Sequence, residues 1–456
     1  MLKTATLPLT LVLLLGARTA IAGPIGFENF TPLANSAPTG SLSETSPLAL
    51  SSSNFVQRTI SANDLGAANG GLRLGDNWDM ITLNETGPNP GRYLFSPYET
   101  GSAGVRRVDL TTGVGLTIVK EGAQGFVSGD ASRWTPWGTY LTGEESWGAG
   151  STKGRLFEVT NPLADPPSIN FVQRTIIPHV SLEGLAFDTS NNLYFVDELN
   201  GGAIYKYTSV TPTNGATFFN AGQTSVLKVG AGGSADATGA ATWAPITTVT
   251  GAALPGIITL PGSTEIDGRA AAVAVGASRY NRPEDLEIQT LANGTQILYF
   301  AATDPTGKVF SINLSNGNTP VVSLFADRTT LKQGTGSAVG NEFTNPDNLA
   351  IDANGNIYIV EDQPGGVADI WFATDANRDG IAESLGRWAS LTTAGAEPTG
   401  LYFNPFNPNV AYINVQHADS DVDRTIEITA VPEPATLGLM LTGLGMAGSR
   451  LRRRRA

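Results

Sequence analysis

Four short stretches of this chain repeat one arrangement, and no other feature limits the fold as tightly. Each opens with an acidic residue, runs through a Leu-containing apolar segment, turns at a Gly/Asn-rich point and returns along an aromatic strand. They start at Glu183, Glu284, Asp347 and Glu397 and reach Tyr194, Tyr299, Tyr358 and Tyr412, spacings of 11, 15, 11 and 15 residues. Hairpins that recur in this way are the signature of radially repeated sheets. If each acid holds the same place in its unit, the four carboxylates converge on one axis. Crowded carboxylates repel one another unless a cation lies among them. A metal site is therefore expected before any particular reaction is.

Composition agrees with an all-β chain: 53 Gly, 27 Pro and 15% charged residues in 456, with Thr/Val/Tyr/Phe-rich runs bounded by Asn, Gly and Pro. A β-propeller uses this length as one domain. The net charge of −13 argues against nucleic acid as a partner, which needs clustered Lys and Arg. There is no cysteine, so disulfides and thiolate ligands are impossible, and only His179 and His417 offer imidazole.

Both ends read as addresses. Residues 1–22 form a secretory signal peptide, with Lys3, the apolar run Leu7 to Leu15 and the small-residue site Ala20-Ile-Ala22. At the other end, residues 431–456 hold Val431-Pro-Glu-Pro434, a 14-residue apolar run from Ala435 to Gly448, and an Arg cluster ending at Arg455. That run is short against the ~20 residues of a stable span, and the basic tail would hold the terminus on the cytoplasmic side. Each end is expected to be a short helix. The three-part ending resembles the PEP-CTERM sorting signal of Gram-negative bacteria. The resemblance implies processing by exosortase-type machinery, transient membrane anchoring, delivery to the periplasm, cell surface or extracellular matrix, and an association with exopolysaccharide.

Between the ends, residues 23–53 are a Ser/Pro/Ala-rich lead-in with little core-forming power, and the propeller domain is expected over 54–428. The string Asn-Phe-Val-Gln-Arg-Thr-Ile occurs at 54–60 and again at 170–176, alternating as a strand with one buried face does. Residues 208–265 are Gly/Ala/Thr-rich and read as an insertion over one face, with strands at its ends.

The densest motif runs from Arg133 to Trp147. Pro136 and Gly138 make a tight entry, Tyr140-Leu-Thr is a short strand, and Glu144 and Glu145 follow at its end. Adjacent strand residues face opposite sides, so these two acids address one ion only across a bulge or turn. Thr135-Pro-Trp-Gly-Thr-x-Leu-Thr-x-Glu144-Glu145 resembles the PhoX-type alkaline phosphatase family. Further matches follow in order: His179-x3-Glu183-Gly, Arg282-Pro-Glu284-Asp, Pro346-Asp347-Asn-Leu, Glu361-Asp362, Glu397-Pro-Thr-Gly and Ile413-Asn-Val-Gln-His417.

The resemblance implies a six-bladed propeller with calcium and iron at its centre, cleaving phosphate monoesters outside the cell. It places metal-ligating carboxylates at Glu183, Glu284 and Asp347 and a phosphate-holding arginine at Arg282. An i, i+2 pair on a strand shares a face, and an arginine fork beside a metal-bound carboxylate suits phosphate. Asp130, Glu144, Glu145, Glu361 and Glu397 are the further candidates for metal contact. The family's cysteines correspond to Asp130 and Gly143, and its asparagine after the paired acids to Ser146. Iron held by thiolate is thereby excluded, while a calcium-rich site survives.

Lesser signals remain open. Asp375-Ala-Asn-Arg-Asp379-Gly is either a small calcium loop or a plain turn, since Gly386 stands where an EF-hand needs its last acid. His417 is either catalytic or a hydrogen-bonded core residue, and His179 is expected to brace Glu183 from behind. Asp188 and Asp352 are expected to cap turns. Neither a serine-nucleophile elbow near a histidine nor a phosphate-cradling loop occurs. Two readings stand: an exported metal-dependent phosphoester hydrolase, or a non-catalytic calcium-binding propeller of the cell surface or matrix. A calcium-dependent propeller lactonase is a third, and it would not need Arg282.

Overall fold

Segments that alternate apolar and polar side chains, broken by Gly, Asn and Asp, fold as antiparallel hairpins, and the computed structural model consists almost wholly of them. It describes residues 26–64, 73–148, 150–315, 317–362 and 368–431. These form the unit Gly26–Val431. The signal peptide and sorting tail, with their expected short helices, lie outside the described residues. Among the described residues no helix is long and apolar enough to cross a membrane.

The repeated hairpin has a specific chemical cause. One oxygen of Asp188 accepts from the backbone N–H of Ser190 and Asn192, and the other from the Asn192 amide at 2.6 Å and the Tyr194 hydroxyl at 3.1 Å. Asp352 does the same with Asn354, Asn356 and Tyr358. The carboxylate substitutes for backbone partners at the turn, and the tyrosine pins the returning strand to it.

The strands make an all-β, propeller-like arrangement. Thr82–Leu83, Tyr93–Pro97, Val105–Asp109 and Val114–Val119 form one four-stranded sheet; Gly129–Trp134, Tyr140–Glu144, Leu156–Val159 and Phe171–Gln173 form the next. A nine-stranded sheet follows, with Leu185–Phe187 at one end and Pro283–Thr290 at the other. The last two sheets begin at Pro346–Ile351 and Glu397–Phe403. The leading strands pack side by side in chain order around a hub. Glycine permits their approach: a Cβ on Gly184 would stand 2.5–2.8 Å from the backbone of Asp285 and Leu286. Gly400, at φ 62°, would likewise meet Ile81 N at 2.7 Å, which brings the last leading strand back to the first. The ring is tied by Phe55–Ala62, which pairs antiparallel with Arg424–Ala430 and so completes the C-terminal sheet with an N-terminal strand. Both copies of the duplicated string lie on outermost strands.

Two sequence expectations need correcting. Of the lead-in 23–53, the described residues 26–53 belong to the fold: Leu48–Leu50 pairs with Ser384–Leu391, and Phe27 is 1% exposed against Phe55, Trp388 and Phe403. A few well-placed apolar residues suffice because they complete an edge that already exists. The Gly/Ala-rich stretch is not only a cover, since Gly222–Val229 and Gly239–Pro245 are strands of the large sheet. Thr224, Val226 and Ala241 of these strands are buried.

Phe27→Ala should lower the unfolding free energy by about 3–5 kcal/mol, read from denaturant titration. An unchanged midpoint would mean that the lead-in does not pack on the sheets.

Candidate metal centre

At one end of the hub, where leading strands begin and second strands end, a cavity of about 210 Å³ is lined by ten carboxylates. Asp79, Asp130, Glu183, Glu284, Asp347 and Glu397 come from the starts of the leading strands. Glu99, Glu145, Glu198 and Asp362 directly follow second strands or lie within two residues of them. Register shifts mark this end of four leading strands, between Gly129 and Ser132, Pro283 and Leu286, Pro346 and Leu349, and Thr399 and Tyr402. A bulge re-aims the side chains it contains, which is how Asp130, Glu284 and Asp347 turn towards the axis.

Three groups bring ligand atoms within 4.8 Å of one another: Glu183, Glu284 and Asp347; Asp130, Glu183 and Glu198; and Glu99, Glu397 and His417. Among the described residues, Arg282 is the one arginine or lysine on the cavity wall. It donates through Nη2 to Glu198 at 2.8 Å, lies 3.1 Å from Glu284, and sits over the Trp147 ring at 4.8 Å. Gln416 donates to Asp79 at 3.1 Å and Glu397 at 2.6 Å. Thr399 donates to Asp79 at 2.5 Å and to Asn348 at 2.8 Å. His417 Nε2 is 3.4 Å from both Glu99 and Glu397.

Burial, and in most cases the charge of neighbouring acids, pushes the carboxyls of Asp79, Asp130, Glu183, Glu198, Glu284, Asp347 and Glu397 up from the ordinary range. The same causes, burial first and then the charge of Glu145, raise Glu99 to about 8. Such groups either hold protons or share cations. Carboxylate oxygens fit calcium, and no cysteine exists to hold iron as a thiolate. A Cβ at Gly143, the second cysteine-equivalent position, would overlap Leu182.

Of the residues proposed from sequence, Arg282, Asp130, Glu145, Glu183, Glu284, Asp347 and Glu397 come together on this wall. Glu144 and Glu361 do not, and both assignments are corrected. Glu144 is clasped by Arg155 at 2.5 Å and by the N–H groups of Val127 and Arg155. Glu361 accepts from the N–H groups of Thr344 and Asp369 and from Trp371 Nε1 at 2.9 Å. His179 does not brace Glu183, because its ring bonds Lys153 O and Glu265. Arg282 and Glu284 meet for a different reason than strand alternation: Arg282 precedes the strand at φ 44°. Asp375 caps its own turn through the N–H groups of Asp379 and Gly380.

Asp79, Glu99, Glu198 and Asp362 were missed, although a signal for two of them was present. Acid pairs close three second strands, at Glu144-Glu145, Asp197-Glu198 and Glu361-Asp362. In each the first acid is buried in protein contacts, as Asp197 is against Arg269 and Ser181 N–H, and the second faces the axis.

Comparison with known families finds a model described as alkaline phosphatase PhoX over residues 130–419, and one described as a PEP-CTERM protein-sorting motif over residues 430–455. Among solved structures, Pseudomonas fluorescens PhoX in complex with vanadate, a transition-state analogue, superposes with a TM-score of 0.62 at 17% identity, covering 88% of this chain and 98% of that one. A gluconolactonase from Xanthomonas campestris gives 0.46 at 9% identity, covering 87% of this chain and 98% of its own. No curated protein matches the chain.

Because folding favours the protonated form of these acids, their contribution to stability is present at low pH and is lost as pH rises. With a chelator present, the melting temperature should fall as pH rises from about 5, with Glu99, raised to about 8, still contributing to the fall near that pH. Added calcium should remove most of that fall. A chelated protein that grows more stable across the same range would contradict this placement of the acids.

Proposed function

The chain belongs to the PhoX alkaline phosphatase family, and from that premise we propose an exported, metal-dependent hydrolase of phosphate monoesters that acts in the acidic cavity. The observation carrying this reading is the isolated arginine: one guanidinium, Arg282, on a wall of ten carboxylates. Such a wall repels phosphate unless cations reverse its field, and Arg282 then completes a cationic seat for the ester.

Glu183, Glu284 and Asp347 would hold calcium, and the remaining axial acids, Asp130, Glu145 and Glu397, would hold further cations. Bound calcium would polarise the phosphoryl oxygen and lower the barrier to attack. Arg282 has one side free for substrate: among the described residues its Nε and Nη2 are bonded to Glu198 while Nη1 makes no hydrogen bond. Trp147 under the guanidinium and Glu198 beside it fix the plane of that fork. As charge builds on the phosphoryl oxygens, Nη1 is the donor left for it, held in place by the bonds on the other side of the guanidinium.

The nine-stranded sheet reads as two blades joined edge to edge where Gly239 and Ala240 pair with Val322 and Val321, which makes six blades in all. The sorting motif at 430–455 indicates export in Gram-negative bacteria. We read residues 1–22 as the signal peptide, exosortase-type machinery as the processing partner, and the periplasm, cell surface or matrix as the destination. A non-catalytic, calcium-binding matrix role is the second reading. The missing cysteines and the sorting motif favour it.

Purified protein spanning residues 23–431 should hydrolyse a chromogenic phosphate monoester with calcium present and stop on chelation. Arg282→Ala should reduce the rate about 10²–10³-fold while leaving calcium-dependent melting in place. No turnover with any metal, alongside intact stabilisation by calcium, would decide for the matrix role.

A further inference from the structure

We propose that Arg269 is a positioning residue for the site: it holds the segments of Trp147 and Glu198, the two groups that fix Arg282, and acts on the ester only through that arginine. The inference rests on the phosphoester reading and adds to it a residue that is not on the cavity wall.

Trp147 is the weak point in the support of Arg282. It follows the strand Tyr140–Glu144 on a segment that joins no ladder, and it is 45% exposed. An exposed ring on such a segment keeps its place only if the backbone around it is tied down. Arg269 supplies the tie. Its Nη2 donates to the carbonyl of Ser146 and its Nη1 to that of Gly148 at 3.1 Å, one on each side of Trp147. Its Nε donates to both oxygens of Asp197, at 2.8 and 3.0 Å, immediately before Glu198. Ser181 links the same two segments, since its Oγ accepts from Ser146 N–H at 2.8 Å and its own N–H donates to Asp197 Oδ1 at 2.9 Å. The Glu198 segment also reaches the backbone of Arg282, whose N–H donates to Leu199 O at 3.1 Å. One planar guanidinium thus spans both supports, and Asp197, 2% exposed, gives it a buried counter-charge.

The element that carries Arg269 is itself seated. Arg269 lies in the first turn of the helix Gly268–Val275, where Asp267 caps the N–H of Ala270 at 3.0 Å. Just before the helix, His179 N–H donates to Ile266 O and Gly268 N–H to His179 O, both at 2.9 Å. The His179 ring bonds Lys153 O and Glu265. His179 therefore serves the site at a distance: it fixes the start of the helix from which Arg269 reaches across. A group held by a rigid element keeps the geometry that catalysis requires, and a shift of about 1 Å can cost about 10²-fold in rate.

The test is a double-mutant cycle on purified full-length protein with calcium, reading kcat/KM for a chromogenic phosphate monoester together with calcium-dependent melting. Arg269→Ala should lower kcat/KM about 10–100-fold. Arg269→Lys keeps the charge beside Asp197 but cannot span three separate partners, so it should melt as wild type does and still lose rate about 10-fold. In an Arg282→Ala background, either change should cost less than about 2-fold more, because the group through which Arg269 acts is gone. Losses that multiply in the double variants, wild-type kcat/KM in a folded Arg269→Ala or Arg269→Lys, or loss of calcium-dependent melting in Arg269→Lys would overturn the role. Wild type that turns over no phosphate monoester would overturn the phosphoester reading itself, and the role with it.

Discussion

Everything in this structure answers to the repulsion among buried carboxylates at the hub. Elsewhere several buried acids meet an arginine: Glu144 meets Arg155 at 2.5 Å, Glu158 meets Arg174 at 2.5 Å, Asp197 meets Arg269 at 2.8 Å and Asp369 meets Arg387 at 2.5 Å. In the cavity ten acids share Arg282. Desolvation and like charge together make such a cluster unfavourable unless protons or metal ions intervene. The fold thus leaves the balance of charge at the hub to protons or to cations that its own side chains do not supply.

The strands supply the opposing free energy. Aromatic side chains pack within and between sheets, as Tyr358 does against Trp388 of its own sheet at 5.3 Å and Phe403 of the neighbouring one at 4.6 Å. Apolar burial there is independent of the charge state of the hub. Bulges at the cavity end give up part of the ladder so that an acid can turn inward, and Gly184 and Gly400 let neighbouring leading strands close in behind it. Stability is thus gathered at the periphery and spent at the centre, as functional sites require.

Much of this was legible in the residues, and the failures have identifiable causes. The hairpin repeat was readable because Asp188, Asn192 and Tyr194 act locally, within one turn. Glu183, Glu284 and Asp347 could be found because each opens a repeat. Glu144 and Glu361 were misassigned because strand direction decides which member of an acid pair faces inward, and composition does not reveal it. Asp79 precedes a strand of only two residues, Thr82–Leu83, and so carried no repeat signature. Phe27 and Leu48 were lost in Ser/Pro-rich surroundings, although two apolar contacts are enough to seat an edge. The fold was read from periodicity, whereas the wall of the cavity depends on bulges that break periodicity.

Long-wavelength anomalous diffraction from crystals grown with calcium at neutral pH tests the central claim most directly. The account predicts strong calcium peaks within coordination distance of Glu183, Glu284 and Asp347, with the carboxylates spread around them. An electron-density map without anomalous peaks there, in which these acids contact one another through shared protons, would contradict it.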